Sequence, residues 1–143
     1  MKLLSALAML AALGGALPAD ALPAGTSPPA SVASMRWHQR ILLLVTPQPD
    51  DPQAVAQRRI LAEWHAQAAD RDVALVEIAG ARVSGASDSA AALFRRYRLS
   101  PGAFHALLIG KDGHVALRSA KPIDAGILQG TIDAMPMRRS GER

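Results

Sequence analysis

The chain contains no cysteine, and that absence removes several function classes together. There is no thiol nucleophile, no dithiol for disulfide exchange and no thiolate for a metal. Nor is there a disulfide to staple a small fold, as many secreted domains require. A lipid-modified N-terminal cysteine is excluded in the same way. Other signatures are missing too. The sequence shows no Ser-His-Asp order, no nucleotide-binding glycine loop and no paired-carboxylate glycosidase pattern. His38, His65, His105 and His114 stand apart, none at the spacing of a zincin histidine pair. No internal repeat is visible.

What is present begins with an export pattern. Lys2 is followed by an apolar run over residues 3–17, interrupted by Ser5, Gly14 and Gly15, and then by Ala19-Asp20-Ala21. This order of charge, apolar stretch and small-x-small site predicts a signal peptide over residues 1–21, cleaved after Ala21. Pro18 and Asp20 end the run before the ~20 apolar residues a spanning helix needs. The expected product is a soluble periplasmic or secreted protein with no membrane anchor after cleavage.

The chain is basic, with a net charge of +4, and thirteen of its sixteen cationic residues are Arg. Basic charge raises the question of nucleic acid, but an exported protein meets anionic envelope surfaces and acidic proteins instead. The expected partner is a protein or small ligand, acidic if the charge is used, and not a nucleic acid.

Residues 22–34 are rich in Pro, Ala, Ser and Thr without periodicity, and predict a flexible linker. The domain is expected over residues 35–139, with a frayed tail at 140–143. Ile41-Leu42-Leu43-Leu44-Val45 is a continuous apolar run that suits a strand buried on both faces. After Thr46-Pro47-Gln48-Pro49, Asp50 or Asp51 can cap a helix with Pro52 at its first position. Val55, Ile60, Leu61, Trp64 and Ala68 are its expected buried side, and Gln57, Arg58, Glu63 and Gln67 its wet side. Residues 73–78 predict a second strand. Ser87 or Asp88 can cap a second helix, whose Ala90, Leu93, Phe94 and Tyr97 share one face. Gly110-Lys111-Asp112-Gly113 between two apolar runs predicts a hairpin. A last helix carries Ile127, Leu128, Ile132 and Met135 and ends before Pro136.

That order is the core of the thioredoxin-like fold. Arg40 before the first strand, Arg71-Asp72 before the second, Gly110-Lys111-Asp112-Gly113 and the ending Ile132-Asp133-Ala134-Met135-Pro136-Met137-Arg138 carry a closer likeness. On these the chain resembles domain-of-unknown-function family 4174, a thioredoxin-like group that includes short exported bacterial proteins. The resemblance implies an α/β fold: a thioredoxin-like three-layer sandwich, β-α-β-α-β-β-α, with a four-stranded mixed sheet. It also implies where a redox cysteine pair would stand, at the turn Thr46-Pro47-Gln48-Pro49, and His105 occupies the redox family's cis-proline position. Both halves of the redox site are replaced, so the fold carries no thiol activity with it.

Four candidate sites follow. Thr46, Gln48 and His105 are expected to meet at the emptied redox position, and His105 can donate, accept or ligate near neutral pH. Met135 and Met137 offer soft thioethers suited to Cu(I), although a Met on an apolar helix face normally fills the core. Arg95, Arg96, Arg98, Arg138 and Arg139 form a basic set. Arg71-Asp72, Lys111-Asp112 and Arg118 are adjacent charges expected to pair locally. No catalytic residue and no cofactor is assigned. The leading expectation is an exported, non-redox binding module. The alternatives are a thiol-independent enzyme near His105, requiring a closed pocket there, and a soft-metal protein.

Overall fold

The computed structural model describes residues 28–139 and 141. The signal peptide expected over 1–21 and residues 22–27 of the expected linker lie outside the described residues. Among the described residues no helix is long and apolar enough to cross a membrane.

The central strand is β1, Arg40–Thr46, and every one of its residues is buried. It pairs in parallel with β2, Val73–Ala79, and antiparallel with β4, His105–Ile109. The crossover from β1 to β2 runs through helices α2, Pro52–Glu63, and α3, His65–Asp70. The predicted hairpin joins β4 to β5, Val115–Ser119. Asp112 Oδ1 accepts the His114 N–H at 3.0 Å, and Gly113 takes a φ of +86°, so the turn is closed by its own sequence.

The sheet has five strands, in the order β3-β2-β1-β4-β5, and not the expected four. The extra strand, β3, is Arg82–Ser84, folded back antiparallel on β2. Gly80, at φ +61°, makes the reversal, and Gly85, at φ +82°, passes so close to β2 that a Cβ there would lie 2.2 Å from the Leu75 carbonyl oxygen.

Because β1 is buried on both faces, its alternate side chains enter two cores. Ile41, Leu43 and Val45 pack with Val32 and Met35 of α1, Val32–Met35, and with Leu93 and Tyr97 of α4, Ala90–Tyr97. Leu42 and Leu44 pack with Ala54, Trp64 and Ala68, and with Leu128 and Ile132 of α5, Ala125–Asp133. The result is three layers. Met35, the expected domain start, therefore lies inside packing that begins at Val32. The Val32 N–H donates to Asp88 Oδ2 at 2.7 Å, which uses Asp88 for this contact, and Ser89 caps α4 in its place.

Helix-face expectations are corrected at four residues. Gln57 is fully buried, because its amide pairs with both backbone groups of Ile123: Nε2 donates to the carbonyl at 3.0 Å and Oε1 accepts the N–H at 2.6 Å. Val55 and Ile127 are instead about half exposed, at 49% and 52%. Arg58, expected in water, is half-buried in an ion pair with Glu77, the polar residue of β2. The helix expected to run on to Ala68 breaks at Trp64, which stands between α2 and α3 with its ring in the core. The last helix does end before Pro136, at Asp133, so Met135 lies just past it, and Pro136 opens a short helix α6, Pro136–Arg139.

Candidate functional site

Parallel strands β1 and β2 start at one end of the sheet, and antiparallel β4 finishes there. This end therefore gathers residues remote in sequence. Arg40 and Val73 are register partners, the Arg40 N–H donates to the Asp72 carbonyl at 2.8 Å, and Arg40 Nη1 donates to the Arg71 carbonyl at 2.8 Å. Lys111, just past β4, places Nζ 2.8 Å from Asp72 Oδ2. Arg71 grips Asp133 at the end of α5 through two bonds of 3.0 Å, from Nε and Nη2. These charges do not pair locally as expected: the principal partner of Lys111 lies 39 residues away and that of Arg71 lies 62 away. Strand topology, which sequence adjacency does not reveal, sets both partners.

Arg40, Arg71 and Lys111 are each buried, at 1%, 8% and 3% exposure. Ions held this far from water need their partners, since removing one leaves an uncompensated buried charge. The Asp133 hydrogen bonds raise the Arg71 pKa above its ordinary value, with burial working against them. Arg71 and Asp133 thus form a structural clasp between β2 and α5. So does the Lys111–Asp72 pair, between β4 and β2.

Beside this cluster lies a cavity of about 320 Å³. Its cationic side is formed by Arg40 and Lys111, with Asp112 and His114 from the hairpin turn. The apolar side is Met135, Pro136 and Met137 from the junction of α5 and α6, with Ala116 of β5 and the ring of Trp37. Trp37 is unusual twice over. Its φ is +71°, a left-handed conformation that a bulky residue rarely takes, and its side chain is 55% exposed. The Trp37 N–H is held by the Lys111 carbonyl at 2.6 Å, and the Arg36 guanidinium sits 4.9 Å from the ring centroid. Asp72, with φ +52°, is a second left-handed residue at this end. Backbone strain of this kind concentrates at ligand sites.

The other expected site lies at the opposite end of the sheet. His105 pairs with Val45 in the register, next to Thr46. Thr46 is buried and its hydroxyl donates to the Gln48 carbonyl at 2.6 Å, so it is committed to holding the turn. The depression there is an open one, lined by Pro47, Gln48, Asp50, Asp51 and Pro52, and neither Thr46 nor His105 reaches it. His105 Nε2 is buried with no hydrogen-bond partner among the described residues. Arg118, on the edge strand β5, donates to the Tyr97 carbonyl at 2.9 Å, and so closes the end of α4.

Of the candidate residues, Lys111, Met135 and Met137 line one cavity, and Arg71 stands behind it. Thr46, Gln48 and His105 do not share one. Sequence reasoning missed Trp37 altogether and took Arg40 only as a marker of resemblance. The signal available was Arg40 itself, a charged residue directly preceding a run of five buried aliphatics. Among the described residues no group of three or more His, Asp or Glu side chains is placed to hold a metal.

A protein-family model described as Domain of unknown function (DUF4174) matches residues 31–141. No curated protein and no solved structure matches the chain.

Proposed function

This chain belongs to the DUF4174 family, and on that premise we propose that it is an exported, thioredoxin-like binding module without redox activity, whose ligand site is the Arg40–Lys111 cavity. The observation that carries the reading is convergence. Four segments separated by up to a hundred residues bring two buried cations, two thioethers and a strained, exposed tryptophan around one space. The two βα- and hairpin-linked halves of the sheet, and the helices on both of its faces, support the thioredoxin-like description. The absence of cysteine removes the redox chemistry that such a fold otherwise suggests.

A cavity near 320 Å³ sits at the small end of the range for small-molecule sites, about 300–1,000 Å³. A small ligand fits it better than a protein surface does. Two tryptophans, Trp37 and Trp64, make the test direct. Trp64 is 5% exposed and lies in the core. In protein labelled with fluorotryptophan, a small-molecule library is screened by fluorine NMR. A ligand of the cavity moves the Trp37 resonance and leaves Trp64 in place. A compound that leaves both tryptophan resonances in place but saturably shifts the His105 amide in a nitrogen-15 spectrum would contradict the assignment.

Soft-metal binding is the second reading, because Met135, Met137 and His114 line the same cavity. Two features oppose it. Met135 packs on the core formed with Leu128 and Ile132, and a metal cation would enter beside Arg40 and Lys111. Like charges in a partly dry site repel strongly. Titration with Cu(I) under reducing conditions tests this reading, which predicts a shift in melting temperature that is lost in Met137→Leu.

A further inference from the structure

Resting on the binding reading above, we infer that the cavity takes a neutral, apolar small molecule built on an aromatic ring. The charges in the lining are already committed inside the protein. Lys111 Nζ lies 2.8 Å from Asp72 Oδ2, and Arg40 Nη1 donates to the Arg71 carbonyl at 2.8 Å. Both cations are buried, so neither has a hydration shell for a ligand to displace. Asp112 accepts the His114 N–H through Oδ1, and its Oδ2 lies 3.2 Å from His114 Nδ1. A charged ligand would therefore give up its water without meeting an unspent counter-charge, a costly exchange in a dry site. An apolar ligand has no such loss, and its burial is favourable in proportion to its area.

The rest of the lining is apolar, and its side chains suit a ring. Met135, Pro136, Met137 and Ala116 form one wall. Methionine sulfur makes favourable contacts with aromatic rings, and its unbranched chain adapts to their outline. Trp37 lines the cavity with a ring that is 55% exposed and belongs to neither core cluster. The Arg36 guanidinium, 4.9 Å from the ring centroid, is not part of the lining, so it backs the indole from outside the cavity. This contact and the bond from the Trp37 N–H to the Lys111 carbonyl hold the residue in place before any ligand arrives. The left-handed φ of +71° carries strain that no core packing of the ring offsets. An indole fixed beside two thioethers is a stacking platform for a second aromatic ring.

The test compares four compact probes, each a six-membered ring with one substituted methyl group: benzyl alcohol, phenylacetate, benzylammonium and cyclohexylmethanol. Binding is read from the Trp37 fluorine resonance of the purified, fluorotryptophan-labelled protein. Benzyl alcohol is expected to bind saturably. Phenylacetate and benzylammonium should each bind about ten-fold more weakly or worse, because their charge must be buried without a partner. Cyclohexylmethanol should be about two- to ten-fold weaker, the value of the lost sulfur and ring contacts. Ala116→Phe tests the location. Ala116 is exposed on the edge strand β5 and lines the cavity, a position where an aromatic side chain is tolerated. The new ring fills the cavity and should weaken benzyl alcohol about ten-fold or more by exclusion, while the Trp64 resonance stays in place as the sign of an intact fold. Phenylacetate or benzylammonium binding as tightly as benzyl alcohol would overturn the neutral assignment while leaving the cavity as a ligand site. Equal binding of cyclohexylmethanol would overturn the aromatic one. Benzyl alcohol binding that Ala116→Phe leaves unchanged would overturn both. If no probe moves Trp37, the inference falls, and the library screen alone then decides whether the cavity binds anything.

Discussion

Replacing Gln57 with leucine isolates one of the least expected contacts in the molecule. The amide of Gln57 is fully buried on α2 and makes two hydrogen bonds to the backbone of Ile123, which leads into α5. Leucine fills similar volume but leaves the Ile123 N–H and carbonyl unpaired in the core. Each orphaned group costs about 1–3 kcal/mol, and the apolar atoms gained return about 1 kcal/mol. The net loss for the two groups is about 1–5 kcal/mol, a large part of the 5–15 kcal/mol typical of a domain. Urea denaturation followed by circular dichroism should show a lower midpoint at unchanged slope. The melting temperature should fall by roughly 4–20 °C. Gln57→Glu reports on the same contact through pH. Its carboxylate cannot donate to the Ile123 carbonyl, and burial favours the neutral form, so the folded-state pKa is raised above the unfolded value. The stability of that variant should be highest below about pH 4 and be lost as pH rises through the folded pKa. A Gln57→Leu variant within about 0.5 kcal/mol of wild type would refute the reasoning, because that is the range of an ordinary surface change.

Three further outcomes are expected. Gly85→Ala should cost more than about 2 kcal/mol by thermal melt, since its φ of +82° is strained for alanine and the new Cβ meets the Leu75 carbonyl oxygen at 2.2 Å. Asp133→Ala should destabilise by about 2–4 kcal/mol, because Arg71, 8% exposed, loses its paired carboxylate; Asp133→Asn should recover part of that loss. Tyr97→Phe should be neutral or slightly stabilising in neutral buffer, because the Tyr97 hydroxyl is buried with no hydrogen-bond partner among the described residues. Burial raises the Tyr97 pKa above 10.0. Its contribution is therefore present below pH 10 and is lost as pH rises through the folded value, and Tyr97→Phe should flatten that alkaline decline in a pH series of melts.

Much of the fold was legible where one physical cause acted alone. The run from Ile41 to Val45 reads as a strand buried on both sides, and all five residues are buried. Asp51 and Pro52 start α2 by capping chemistry that depends on no distant residue. Gly110 to His114 forms the hairpin turn from its own geometry. The failures share a different cause. Nothing local distinguishes Gln57 from a solvated glutamine, because its reason to be buried is Ile123, 66 residues away. β3 is three residues long, two of them exposed, so it carries no readable alternation. Ile127 looks like core on a helical wheel but faces out, since α5 meets the sheet through Leu128 and Ile132.

The site followed the same division. Arg40, Arg71, Lys111 and Met135 to Met137 were all conspicuous as residues, but no spacing in the sequence says that they meet. Their meeting depends on β1 and β2 being parallel and on β4 running the other way. The resemblance to redox proteins implies a site elsewhere, at the turn after β1. There the structure commits the Thr46 hydroxyl to the backbone and leaves an open depression. Trp37 was invisible because its significance lies in a backbone angle and an exposure, neither of which is written in composition.

The central claim is that the ligand end of this molecule is the one carrying Arg40 and Lys111, and not the one carrying Thr46 and His105. Amide chemical-shift mapping during titration with a hit from the small-molecule library tests it most directly. The predicted result is saturable movement at Trp37, across residues 110–116 and across residues 133–137, with residues 46–51 and His105 unmoved. Saturable movement confined to residues 46–51 and His105 would contradict the account.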